Sequence, residues 1–167
     1  RREGSGDEGR IADEPFFMEP PYLLDRRAGT AQRPLMVLFE SPGCEVCREY
    51  HEDIFRRDRT RGLLERFDVV GLNRFAGTPV LTPDGERTTA QAWAGALDVR
   101  ASPTLVFFDR QGEEVFRVGA YLKAFHMQSV LEYVASGAYR EQPEFQRFVQ
   151  ERAERLEAAG EHVDIWE

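Results

Sequence analysis

The sequence predicts an α/β domain in which a central mixed β-sheet is flanked by helices, with an irregular arm before it and a helical extension after it. Three observations carry this. Two apolar runs, Leu35-Met36-Val37-Leu38-Phe39 and Thr104-Leu105-Val106-Phe107-Phe108, have the pattern of strands buried on both faces of a sheet. Segments with apolar residues at helical spacing are interleaved with the strands. After the second run, a turn at Asp109-Arg110-Gln111-Gly112 leads into Glu114–Val118, which makes the last two strands antiparallel.

Taken in order, residues 1–14 are rich in Gly, Asp, Glu and Arg and read as a flexible, solvated tail. Residues 15–33 mix aromatics with prolines and form an arm that covers part of the domain, with one short helix expected near 22–27. Residues 34–137 make the domain proper. Its first strand is broken by Ser41-Pro42-Gly43, and a charged helix is expected from Cys44 to about Asp58, with Val46, Tyr50, Ile54 and Phe55 on its apolar face. A second strand follows at 67–72. A hairpin or ordered loop at 80–88 turns at Pro83-Asp84-Gly85. A short helix bears Trp93. Leu122, Phe125, Val130, Leu131 and Val134 mark a helix that ends near Gly137. Residues 138–167 are the extension, where Phe145, Phe148, Val149, Ala153 and Leu156 form one helical stripe. That stripe fits packing on the domain or, alternatively, docking of a partner. Glu151, Arg152, Glu154 and Arg155 read as a solvated face.

A chain of 167 residues with 41% hydrophobic content can bury one core of ordinary size. Its net charge of −8 argues against nucleic acid and anionic membrane surfaces as partners. The longest apolar run, 35–39, is too short to cross a bilayer. An arginine start and a polar leader fit an exported chain, tethered to a membrane through its N-terminus or free; a cytoplasmic chain is the alternative. A monomer is expected.

Two cysteines are present, Cys44 and Cys47. Stabilising disulfides act mainly by closing long loops of the unfolded chain, and a bridge over three residues closes almost nothing. Chemistry explains the pair better. Cys44 follows a chain break at the expected start of a helix, where free N–H groups and the helix dipole favour a thiolate, the form that attacks disulfides. Cys47 lies on the same side of the first turn but deeper, placed to resolve a mixed disulfide formed at Cys44. Zinc would need more than Cys44, Cys47 and His51; no metal and no cofactor beyond a Cys44–Cys47 disulfide is expected. Pro103 sits at the mouth of a central strand where it cannot donate to the ladder. A cis bond at Ser102–Pro103 would leave the backbone of Ser102 free to pair with an extended substrate.

The strand, the Cys44-Glu45-Val46-Cys47 helix start and the segment from Val99 through Ser102-Pro103 to Asp109 resemble the thioredoxin superfamily over roughly residues 34–136. Leu38 through Cys44, His51-Glu52, Gly119-Ala120-Tyr121-Leu122, and the tail from Gly137-Ala138-Tyr139 to Asp164-Ile165-Trp166 look most like the periplasmic thioredoxin-like proteins of bacterial sulfur-oxidation (Sox) gene clusters. The resemblance implies a thioredoxin fold, export, and reduction of disulfides or sulfur adducts on partner proteins, among them a thiol-bearing sulfur carrier, with re-reduction by a membrane thiol donor. Ordinary members carry Trp where Gly43 stands, Gly-Pro where Glu45-Val46 stand, and a buried Asp where Leu38 stands. Proton transfer to Cys47 therefore needs another route, with Glu40 or solvent the candidates. Glu45 places a negative charge beside Cys44 and should raise its thiol pKa, which makes the dithiol easier to oxidise. The reduction potential is then expected nearer about −270 mV, as in thioredoxin, than about −120 mV, as in a strong periplasmic oxidant. His51 stands one helical turn past Cys47, either tuning the site or on the helix surface. An oxidase or isomerase, and a non-catalytic adaptor, are the rival functions.

Overall fold

The computed structural model describes residues 11–167, so all but the last four residues of the expected tail lie outside the described part. The centre of the molecule is β2 (Leu35–Glu40), every residue of which is buried. It runs parallel to β3 (Asp68–Asn73) and antiparallel to β6 (Thr104–Phe108), which pairs antiparallel with β7 (Glu114–Val118), giving the order β3-β2-β6-β7. Side chains alternate across such a sheet. Met36 and Leu38 therefore enter one core cluster with Leu64, Met127, Val130 and Leu131. Leu35, Val37 and Phe39 enter another, with Trp93, Val99 and Val106. Glu40 continues the first set. Trp93 is packing, its ring 5.6 Å from Phe39 and 5.8 Å from Phe108.

Four expectations need correction. The segment near 22–27 is extended: β1 (Tyr22–Leu23) pairs parallel with β4 (Pro79–Leu81), which pairs antiparallel with β5 (Arg87–Thr89) in a second, three-stranded sheet. Leu24 and Arg26 continue the ladder by donating N–H bonds to Leu81 and Pro83, a use of alternate residues that a helix does not allow. Arg26 is buried and bonds Asp68 at 2.9 Å and the Arg33 carbonyl at 2.7 Å, which fixes the arm to β3.

The helix opened by the cysteines is interrupted. α1 (Glu45–Glu52) ends at Asp53, a 3-10 turn covers Ile54–Arg56, and α2 (Asp58–Leu64) follows. Neighbouring residues on an α-helix point about 100° apart. The tighter turn lets both Ile54 and Phe55 enter the core.

Arg152 is buried rather than solvated. α3 (Ala90–Ala96) packs on the β3 side, while α4 (Ala124–Ala135) and α5 (Phe145–Ala158) lie together. Between α4 and α5 Arg152 bonds Glu132 at 2.8 Å and Ser129 at 3.1 Å, with its guanidinium over Phe125. The α5 stripe is internal: Phe148 lies 4.9 Å from Tyr133 and Phe145 lies 5.3 Å from Phe116.

Finally, Glu14 is buried, not solvated. It is held in by its neighbour Phe17, which forms a parallel bridge with Val69 and lays its ring on Gly71 of β3. A Cβ at position 71 would meet that ring at 2.6 Å. Gly71→Ala should therefore push Phe17 and the arm off β3 and cost about 1–3 kcal/mol in denaturant unfolding; an unchanged midpoint would contradict the docking.

Candidate active site

Chain direction builds the site at the end of β2. Glu40 closes the strand, and Gly43 adopts φ +77°, a conformation that side-chain-bearing residues rarely take. Cys44 becomes the N-cap of α1, its sulfur accepting from the Cys47 N–H at 3.1 Å. Cys44 and Cys47 are joined in a disulfide with Cα atoms 5.3 Å apart. Cys44 is partly exposed while Cys47 has no exposed surface. An attacking thiol can reach only the Cys44 side, and the helix start favours that sulfur as the thiolate after cleavage. Glu45 is well exposed and its carboxylate bonds Arg48 at 3.1 Å, so solvent and this partner screen its influence on Cys44.

The Ser102–Pro103 peptide is cis. Because Thr104 pairs with Phe39, Pro103 reaches the level of Glu40, at the same end of the sheet as Cys44. The Ser102 hydroxyl accepts from Arg74 Nε at 2.7 Å, and the Arg74 guanidinium lies 4.2 Å over the exposed Phe75 ring. Sequence reasoning missed Arg74; its place immediately after β3 was the available signal.

Beneath α1, the sequence-named Glu40 and His51 meet. His51 Nε2 lies 2.8 Å from Glu40 Oε2, and Nδ1 lies 2.6 Å from Oε2 of Glu14. Glu40 is fully buried, and its other oxygen, Oε1, has no hydrogen-bond partner among the described residues. Burial is the largest influence on His51 and opposes its charge, but the bonds to Glu14 and Glu40 outweigh it and raise the imidazole to about 9. Both ring nitrogens then donate at neutral pH. Burial, only partly offset by His51, raises the Glu40 carboxyl above its ordinary value. Sequence reasoning missed Glu14, whose one signal was the adjoining Phe16-Phe17 pair. Beside this cluster a cleft of about 430 Å³ is lined by Ile11 to Glu14, the last residues of the expected tail, and by Cys44, Arg48, His51 and Arg56.

The loop Gly119 to Leu122 is tied to α1 through Tyr50, whose hydroxyl accepts from Leu122 N–H at 2.9 Å while its ring stacks on Tyr121. His126 sits near Trp166, and His162 is exposed; neither joins the site. Among the described residues, no group of three or more His, Cys, Asp and Glu side chains could hold a metal ion.

Raised pKa values in the folded state mean that the native protein holds protons the unfolded chain releases, so stability falls as pH rises. The His51 contribution is complete below about 6.5 and is lost as pH climbs through about 9. Glu40 acts with the same sign. The unfolding midpoint of the wild type should therefore fall more steeply between these pH values than that of His51→Gln; equal slopes would contradict the charged cluster.

Comparison with curated proteins finds no match. A thioredoxin-fold protein from Helicobacter pylori is similar in structure, with a TM-score of 0.63 at 17% identity over 74% of this chain and 86% of that one. A thioredoxin from Thermus thermophilus gives a TM-score of 0.50 at 25% identity over 68% of this chain and 85% of that one. A family model described as the thioredoxin-like domain matches residues 25–135. That span takes in the cysteine pair, the Ser102–Pro103 loop and the whole four-stranded sheet, and the chain belongs to the thioredoxin-like domain family.

Proposed function

We propose that this protein is a thiol–disulfide oxidoreductase that works as a reductant of partner proteins. The pairing of a partly exposed, helix-capping Cys44 with a fully buried Cys47 carries the exchange chemistry, and the reducing direction rests on the resemblance to sulfur-oxidation proteins. In the dithiol form the Cys44 thiolate attacks a partner disulfide, forming a mixed disulfide and releasing one partner thiolate. Cys47 then loses its proton and attacks Cys44, releasing the second thiolate. Two electrons pass to the partner and the Cys44–Cys47 disulfide forms. With a persulfide on a sulfur-carrier protein, the same two electrons yield the carrier thiol and hydrogen sulfide.

An extended partner segment would pair with the backbone at Ser102, beside Pro103. Arg74, whose Nε donates to the Ser102 hydroxyl and whose guanidinium lies over Phe75, brings a positive charge beside that loop. Glu40, with its unpaired buried oxygen, is the proton acceptor for Cys47. The sulfur-carrier substrate, the periplasmic location and a membrane thiol donor rest on the resemblance to sulfur-oxidation proteins.

Cys44→Ser should abolish reduction of a protein disulfide such as that of insulin. Cys47→Ser should accumulate mixed disulfides with partners in extract of the source cell, and failure to capture any would remove the resolving role. In equilibrium titration against thiol buffers, the potential should fall nearer about −270 mV than about −120 mV; a value well above about −200 mV would favour an oxidase or isomerase. Full physiological function in the double Cys→Ser variant would favour the adaptor reading.

A further inference from the structure

We propose that Arg74 determines specificity by selecting partner segments that carry a carboxylate next to the reacting cysteine. The proposal rests on the thiol–disulfide exchange argued above and names the kind of substrate that site would take.

Arg74 directly follows β3, and its main-chain N–H donates to the Glu40 carbonyl at 2.9 Å, so the chain stays paired to β2 at the strand end. Position 74 therefore lies at the end of the sheet that also carries Cys44 and the Ser102–Pro103 loop. The Arg74 Nε donates to the Ser102 hydroxyl at 2.7 Å. A segment that adds to the backbone at Ser102 is thus laid alongside a guanidinium. Phe75 supports that group: its ring lies 4.2 Å from the guanidinium and is 53% exposed. The Phe75 N–H bonds the Asn73 side-chain oxygen at 3.0 Å, which fixes the turn.

The charge at position 74 is left uncompensated. With a net charge of −8 the chain has carboxylates in plenty, and other exposed arginines take one. Arg48 pairs with Glu45, Arg57 with Asp53 and Arg100 with Asp98. Arg74 pairs with none among the described residues, and of its N–H donors only Nε is taken up by one of them. Glu45 and Asp98, the acids beside Cys44 and before the Ser102 loop, are already held by their own arginines. A planar guanidinium matches a carboxylate through paired, charge-assisted hydrogen bonds. Arg33, Arg66, Arg110 and Arg140 also lack an acidic partner among the described residues. They line a separate cleft at the opposite end of β2 and β6, where Pro34 and Asp109 lie, too far from Cys44 to act on a reacting segment.

An Arg74 that only steadied the loop through Ser102 would serve every partner alike. Selection by charge serves them unequally, and peptide disulfides tell the two apart. The reduced full chain is given homodimeric peptide disulfides with Asp or with Lys on both sides of the cysteine. Each rate is divided by that of dithiothreitol on the same peptide, which removes the intrinsic reactivity of the disulfide. At an ionic strength of about 0.15 M the Debye length is about 8 Å, so the overall negative charge is largely screened while a group in hydrogen-bond contact is not. The wild type should reduce the Asp peptide about 3- to 10-fold faster than the Lys peptide, the scale of one partly exposed ion pair. Net charge alone gives the reverse order, so a wild-type ratio of one or less overturns the proposal without any variant. In Arg74→Gln the ratio should fall to one or below; an unchanged ratio, with or without equal slowing of both peptides, overturns it as well. A wild type that reduces neither peptide nor hydroxyethyl disulfide overturns the exchange chemistry itself, a distinct outcome.

Discussion

The difference in exposure between two sulfur atoms three residues apart is the constraint on which the rest of this structure depends. It is created by backbone geometry. Gly43 turns the chain with a positive φ, Cys44 takes the N-cap, and the first turn of α1 carries Cys47 into the core. A disulfide so placed can be opened from one side only, and its opening leaves the outer sulfur where free N–H groups and the helix dipole favour an anion. The fold serves this arrangement: β2 delivers Glu40 below the helix, and the register with β6 brings the Ser102–Pro103 loop to the same end of the sheet.

Burying a charged cluster beside such a pair is costly unless its members satisfy one another. Here a single imidazole lies between two carboxylates, one from the central strand and one from the residue just before the arm, and each ring nitrogen has a partner. The arm is held by Arg26 on Asp68 and the short ladder between β1 and β4, and by Phe17, which lies on Gly71 and edge-to-face with the His51 ring. Phe17 therefore links the packing on β3 to the buried cluster directly, through its ring contact with His51.

Much of this was legible in the sequence, for physical reasons that differ by element. β2 and β6 are buried on both faces, so their continuous apolar runs announce them. The cysteine pair, Glu40 and Pro103 are local features of strand ends and a helix start. β1 was hidden because two residues carry no periodicity and their partner, β4, lies more than fifty positions onward. The break after α1 was hidden because Ile54 and Phe55 also fit a continuous helical face. Glu14 looked like one more acid in a polar leader, since its burial depends on a contact with His51 across 37 positions. Arg152 was hidden among charged neighbours on α5, although its position between Val149 and Leu156 places it toward α4.

Reactivity of the two thiols toward a small alkylating agent tests the central claim most directly. After reduction and brief iodoacetamide treatment at neutral pH, peptide mass spectrometry should find Cys44 modified and Cys47 protected in the folded protein, with both modified once it is unfolded. Equal labelling of the two in the native state, or equally sluggish labelling of both, would contradict the account.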